Sequence, residues 1–163
     1  MNSSLIKCIL IAAIAVPAAA VAQTGEGRNL AKLAFKSVDS AERGFIDQAE
    51  FINFGGDIFY SMDYDDNDML SLKEFLSWGF GLEQVAAAAG RADAFDTAMR
   101  VVFAFWDLNG NGQINRTEYR RSLNTDFHRA DANNDAVLSE EEFLSGFSVN
   151  VAARAAINPP PAE

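Results

Sequence analysis

The stretch Asp107-Leu108-Asn109-Gly110-Asn111-Gly112-Gln113-Ile114-Asn115-Arg116-Thr117-Glu118 decides how the rest of the chain is read. Side-chain oxygens stand at positions 1, 3, 5, 9 and 12, carried by Asp107, Asn109, Asn111, Asn115 and Glu118. Gln113 at position 7 offers a backbone carbonyl, and Gly112 stands at position 6, where the chain must turn sharply. A hard cation takes an all-oxygen shell, and this spacing brings side chains and a carbonyl round one point. Ile114 at position 8 is apolar and suited to pairing with a partner loop.

The same register recurs on both sides. Loop 2 (63–74) places Asp63, Asp65, Asn67, Met69, Ser71 and Glu74 at the ligand positions, with Leu70 at position 8. Loop 4 (131–142) places Asp131, Asn133, Asp135, Val137, Ser139 and Glu142 there, with Leu138 at position 8. Asp68 and Ala136 replace glycine at position 6. In a left-handed conformation each costs roughly 1–2 kcal/mol, less for Asp than for Ala, so affinity in these loops should suffer while the ligand set survives. Loop 1 (39–50) keeps Asp39, Gly44, Ile46, Asp47 and Glu50, but Ala41 supplies no ligand at position 3 and Arg43 puts a cation at position 5. A like charge beside a metal is unfavourable, so loop 1 is expected not to bind and to serve through Ile46 in loop pairing.

Loops 1 and 2 become loops 3 and 4 under a shift of 68 residues. Phe35 falls on Phe103, Asp39 on Asp107, Glu50 on Glu118, Phe59 on Phe127 and Glu74 on Glu142. A period this long marks a duplicated supersecondary unit, about 28–90 and 91–156, divided near Gly90. Apolar residues between the acidic clusters come at helical spacing. Phe51, Phe54, Ile58 and Met62 form one stripe, and Tyr119, Leu123, Phe127 and Ala130 its counterpart. Leu30, Leu33, Ala34 and Val38 precede loop 1, and Phe95, Met99, Val102, Phe103 and Trp106 precede loop 3. The expectation is an all-α fold of two three-helix units in tandem, six helices in a single domain over 23–156, with no substantial strand and with the phenylalanines in the core.

Twelve residues separate Glu50 from Asp63, and twelve separate Glu118 from Asp131. At 1.5 Å per residue that is roughly 18 Å, room for one helix and not for two plus a turn. Loops 1 and 2 therefore sit at opposite ends of one helix and cannot lie side by side, and the same holds for loops 3 and 4. Pairing must cross between repeats. Antiparallel packing of the shared helices joins loop 2 with loop 3 and loop 1 with loop 4; parallel packing joins 1 with 3 and 2 with 4. The 32 residues between Glu74 and Asp107 fit a helix, a turn and a returning helix, which favours the antiparallel arrangement.

Composition narrows the function classes. The 163 residues are 49% hydrophobic and 22% charged, an ordinary globular balance, with a net charge of −10. That excess argues against nucleic acid and anionic membranes as partners and suits cations. One Cys and one His leave little room for thiol, zinc or nucleophilic chemistry, and an enzyme is not expected. Lone His128 reads as a helix-surface group, and Trp78 and Trp106 as core. Residues 1–22 read as a secretory signal: Lys7, an apolar run Cys8 to Val16, then Ala20-Val21-Ala22 before a cut at Gln23. The expected location is periplasmic or secreted, with a mature chain of 163 − 22 = 141 residues and no cysteine. Pro159 to Pro161 open a tail, 157–163, expected to be extended and disordered.

The loop pattern resembles the EF-hand superfamily, over about Leu30 to Phe147. The resemblance implies calcium binding by paired helix-loop-helix units, in a sensor, a buffer or a structural module. The 12-residue separation in an exported chain is similar to the lanmodulin family of periplasmic lanthanide-binding EF-hand proteins, which implies trivalent lanthanides as the alternative metal. That family carries Pro at position 2 and Asp at position 9; here those positions hold Tyr64, Leu108 and Ala132, and Ser71, Asn115 and Ser139. Carboxylates at positions 1, 3, 5, 9 and 12 number three in loop 2, two in loop 3 and three in loop 4, a modest density that favours calcium. With only Met62, Met69 and Met99 in the mature chain, a Met-rich target groove is not expected.

Overall fold

The structure is a computed structural model that describes Asn29 and residues 32–158. The signal segment 1–22 and the proline-rich residues 159–163 lie outside the described residues. In chain order the elements are α1 (32–38), β1 (Phe45–Asp47), α2 (Gln48–Met62), β2 (Met69–Ser71), α3 (Leu72–Trp78), a 3-10 turn (Gly79–Gly81), α4 (Glu83–Ala88), α5 (Ala92–Trp106), β3 (Gln113–Asn115), α6 (Arg116–Ala130), β4 (Val137–Ser139), α7 (Glu140–Gly146) and α8 (Ser148–Ile157). The fold is all-α, as the helical spacing implies, with strands of only three residues each.

The helix count departs from the expected six. Gly79 (φ +61), Phe80 (φ +50) and Gly81 (φ +70) turn the chain left-handed and separate α4 from α3. Phe147 is extended (φ −65, ψ 127) and separates α8 from α7. Apolar residues keep a helical spacing across both breaks, so the period alone reads each as one helix. Between α4 and α5 the divider is a glycine stop: Gly90 has φ +67, its N–H reaches the Ala87 carbonyl at 2.9 Å, and the Arg91 N–H reaches Ala86 at 2.8 Å. Helix α8 runs to Ile157, whose side chain is buried.

The strands pair across the repeats. In one two-stranded antiparallel sheet Leu70 faces Ile114; in the other Ile46 faces Leu138. This is the antiparallel crossing that the 12-residue separations favour. All four position-8 side chains are fully buried and join a single apolar core. Aromatic rings carry that core from one loop pair to the other in edge-to-face contacts: Phe75 to Trp106 at 5.7 Å, Trp106 to Tyr119 at 5.3 Å, Tyr119 to Phe59 at 5.2 Å, and Phe51 to Phe143 at 6.4 Å. Burial pushes the Tyr119 phenol well above its usual range. Trp106 is buried and Trp78 half-buried, while His128 lies exposed on α6. Two expected core residues are not there: Phe105 is 73% exposed, and Leu33 is exposed because α1 buries Phe35 and Val38 instead.

The shared helices α2 and α6 cross at a glycine. A Cβ on Gly55 would lie 2.2 Å from Leu123 Cδ1. Helix α7 comes still closer to α6: a Cβ on Gly146 would lie 2.5 Å from the Ala130 Cα. Buried Asp126 of α6 holds the start of α8, which has no side-chain cap of its own. Its carboxylate accepts from the Ser148 N–H at 3.3 Å and from the Ser148 hydroxyl, and Arg129 donates to it at 2.6 Å. Burial still holds the Asp126 carboxyl above its ordinary range. Among the described residues no helix is long and apolar enough to cross a membrane.

Candidate metal centres

Each loop is built on the ends of its two helices. The position-1 residue is the C-cap of the entering helix: the N–H groups of Asp63, Asp107 and Asp131 reach Phe59, Phe103 and Phe127 at 3.0, 2.9 and 2.9 Å. Its carboxylate then turns inward and accepts the N–H groups of positions 5 and 6. Asp63 takes Asn67 and Asp68 at 3.0 and 2.9 Å, Asp107 takes Asn111 and Gly112 at 3.1 and 2.8 Å, and Asp131 takes Asp135 and Ala136 at 3.1 and 3.0 Å. Positions 9 and 12 are the N-cap and N3 residues of the exiting helix and form a capping box in every loop: Asp47 with Glu50, Ser71 with Glu74, Asn115 with Glu118, and Ser139 with Glu142. The residues that could ligate a metal therefore also start and stop the helices.

The loops differ at the position-12 carboxylate. In loop 2, Glu74 Oε2 accepts the Ser71 N–H and hydroxyl at 2.8 and 2.7 Å. Oε1 of this buried residue has no hydrogen-bond partner. Oxygens of Asp63, Asp65 and Glu74 lie within 4.8 Å of one another. Asn67 Oδ1 accepts the Met69 N–H at 2.8 Å. In loop 3, Glu118 spends one oxygen on the Asn109 N–H and the other on the Asn115 N–H, both at 3.0 Å. The Asn109, Asn111 and Asn115 amide oxygens accept the N–H groups of Asn111, Gln113 and Glu118. In loop 4, Glu142 takes Ala132 and Asn133 on one oxygen and Ser139 on the other. The Ser139 N–H and hydroxyl hold its carboxyl below the usual range. Asn133 pairs with Asp135 at 3.0 Å, and Asp135 accepts the Val137 N–H at 3.1 Å. The structure thus gathers each ligand set within its own loop, but only loop 2 keeps an unpartnered carboxylate oxygen turned inward.

Loop 1 closes on its own cation. The Arg43 guanidinium reaches Asp47 Oδ2 and Glu50 Oε2, both at 2.5 Å, and lies 4.5 Å from the centre of the Phe45 ring. Burial tends to raise Glu50, but the Asp47 N–H and Arg43 outweigh it and hold the carboxyl low. Asp47 is held low by the Glu50 N–H and by Arg43.

Sequence reading missed two features. Position 4 is left-handed in every loop, as position 6 is: Glu42 (φ +52), Asp66 (φ +54), Gly110 (φ +71) and Asn134 (φ +58) precede Gly44, Asp68, Gly112 and Ala136 (φ +63 to +82). Only loop 3 has glycine at both, and Gly110 was the available signal. Arg116 at position 10 of loop 3 was also missed. It ties loop 3 to loop 2 by pairing with Asp68 at 2.5 Å, donates to the Tyr60 hydroxyl, and lies 4.1 Å from the Tyr60 ring centre. Because Ala136 is strained at φ +65, Ala136→Gly should stabilise the metal-free protein by about 1 kcal/mol. Urea denaturation in chelator measures this, and an unchanged midpoint would contradict the strain. Asp68→Gly should gain less, because Asp tolerates this backbone better and Asp68 holds Arg116.

No curated protein and no solved structure matches the chain. The model of the EF hand family matches residues 99–124, the second half of α5, loop 3 and the start of α6, and so supports membership of the EF-hand superfamily and calcium binding.

Proposed function

We propose that this is an exported calcium-binding protein that takes the metal in loops 2, 3 and 4 and acts as a sensor or buffer rather than as an enzyme. The observation that carries the reading is the buried Glu74 Oε1, unpartnered and set against Asp63 and Asp65. Three converging carboxylates with a dry, unsatisfied oxygen are costly without a cation and fit a hard divalent ion. Asp63, Asp65, Asn67, the Met69 carbonyl and Glu74 would hold it directly. The Ser71 hydroxyl is already engaged with Glu74, so position 9 would act through water. Loop 3 would offer Asp107, Asn109, Asn111, the Gln113 carbonyl, Asn115 and Glu118. Loop 4 would offer Asp131, Asn133, Asp135, the Val137 carbonyl, Ser139 and Glu142. In both, Glu must first release backbone N–H groups.

The short inter-loop helices support a lanthanide carrier as the second reading, and the modest carboxylate count favours calcium over it. Calorimetric titration of the metal-free protein with calcium and then lanthanum separates them. Calcium sites numbering two or three, with lanthanum only modestly tighter, support the first reading; weak calcium uptake with tight lanthanum binding overturns it. A third reading, a structural calcium site, expects a large metal-linked stabilisation with no change in shape. Calcium at 100 times Kd should stabilise by about 2.7 kcal/mol per site, and chelator should remove that gain. Amino-terminal sequencing of the exported protein should begin at Gln23.

A further inference from the structure

We infer that Arg43 is the resident cation of loop 1: its guanidinium stands where a metal would stand, excludes metal from that loop, and keeps the loop 1–loop 4 pair folded when no metal is bound. The inference rests on the calcium reading of loops 2 to 4. Its support is geometric. Loop 1 keeps the EF-type frame in full, with Asp39 accepting the Arg43 and Gly44 N–H groups at 2.9 and 2.7 Å and Asp47 and Glu50 forming their capping box. Into this frame Arg43 brings charge-assisted bonds to positions 9 and 12, the two residues that start α2. The Phe45 ring covers the guanidinium from one side, and Ser40 and Ala41 donate to the remaining Glu50 oxygen at 3.1 and 3.2 Å. No oxygen of Glu50 is left for an incoming ion.

The other loops set the contrast. Loop 2 holds an orphan carboxylate oxygen, and loop 1 holds none. Loop 1 is joined to loop 4 through Ile46 and Leu138, so a loop that closes on Arg43 hands loop 4 a formed partner strand before metal arrives. Loops 2 and 3 have no such internal cation; each depends on the ion itself. The molecule is thereby divided into one loop pair that is half self-neutralised and one that is wholly metal-dependent.

The test replaces Arg43 in the full chain by Asn, the residue at position 5 of loops 2 and 3, and by Lys, which keeps the charge. Calcium stoichiometry is read by calorimetry, and metal-free thermal stability by circular dichroism. Arg43→Asn should gain one calcium equivalent over the wild type and melt lower in chelator, the loss being restored by calcium. Arg43→Lys should gain no equivalent. If Arg43→Asn gains no site while the wild type binds calcium, or if Arg43→Lys gains one, the inference is overturned. If the wild type itself takes up no calcium, the underlying functional reading fails instead. Should Arg43→Asn be unfolded in chelator, refolding on calcium with the additional equivalent supports the inference, and failure to refold leaves Arg43→Lys to decide it by its stoichiometry.

Discussion

Glu74→Gln should weaken calcium binding at loop 2 by about 100-fold, roughly 2.7 kcal/mol, while making the metal-free protein more stable. The two effects have opposite sign because one group causes both. Glu74 is buried, with Oε2 satisfied by Ser71 and Oε1 unpartnered near Asp63 and Asp65. Without metal, that arrangement sets like charges together and leaves a desolvated carboxylate oxygen unsatisfied. A glutamine keeps the shape and the acceptor for Ser71, removes one charge, and brings an amide that can donate to a neighbouring Asp. With metal, the same change removes the carboxylate expected to ligate in both its oxygens. Calorimetry reads the first effect and urea denaturation in chelator the second. A metal-free midpoint that falls, or a calcium affinity that does not, would show that Glu74 is not the strained group described above.

Gly146→Ala should cost about 1–3 kcal/mol, although alanine is the better helix former. The added methyl would sit 2.5 Å from the Ala130 Cα, a backbone atom in the last turn of α6. Relief requires α7 to move away from α6, and α7 is joined directly to loop 4. Gly55→Ala is the control. Its methyl would meet Leu123 Cδ1, the end of a side chain that can turn aside, and the gain in helix propensity of about 1 kcal/mol opposes the crowding. The two variants should separate clearly in thermal midpoint, with Gly146→Ala the lower. Equal midpoints would mean that α7 can shift without cost.

The loops and their pairing were legible because they rest on periods in the chain. Four position-8 residues and two 12-residue gaps suffice to join Leu70 with Ile114 and Ile46 with Leu138. The helix breaks at Phe80 and Phe147 were not legible, since both residues fit the apolar spacing that runs through them. Nor could the sequence separate Glu74 from Glu142. Both follow Ser-x-x, yet Glu142 reaches the backbone N–H groups of Ala132 and Asn133 while one Glu74 oxygen reaches none. That difference lies in where two side chains point, which no spacing encodes. Arg43 was readable as a cation beside a metal site, but its hold on Asp47 and Glu50 was not.

The crossed strands bear on how such a chain could arise. Exchanging the two repeats carries the β1–β4 pair onto β3–β2 and α2 onto α6. A single copy of the repeat contains two loops that cannot reach each other and so has no internal partner for either. Two copies related by a twofold axis would satisfy all four. The chain has the geometry of a symmetric dimer made continuous by one connection through α4 and Gly90, so severing that connection should give halves that find each other rather than halves that fold alone.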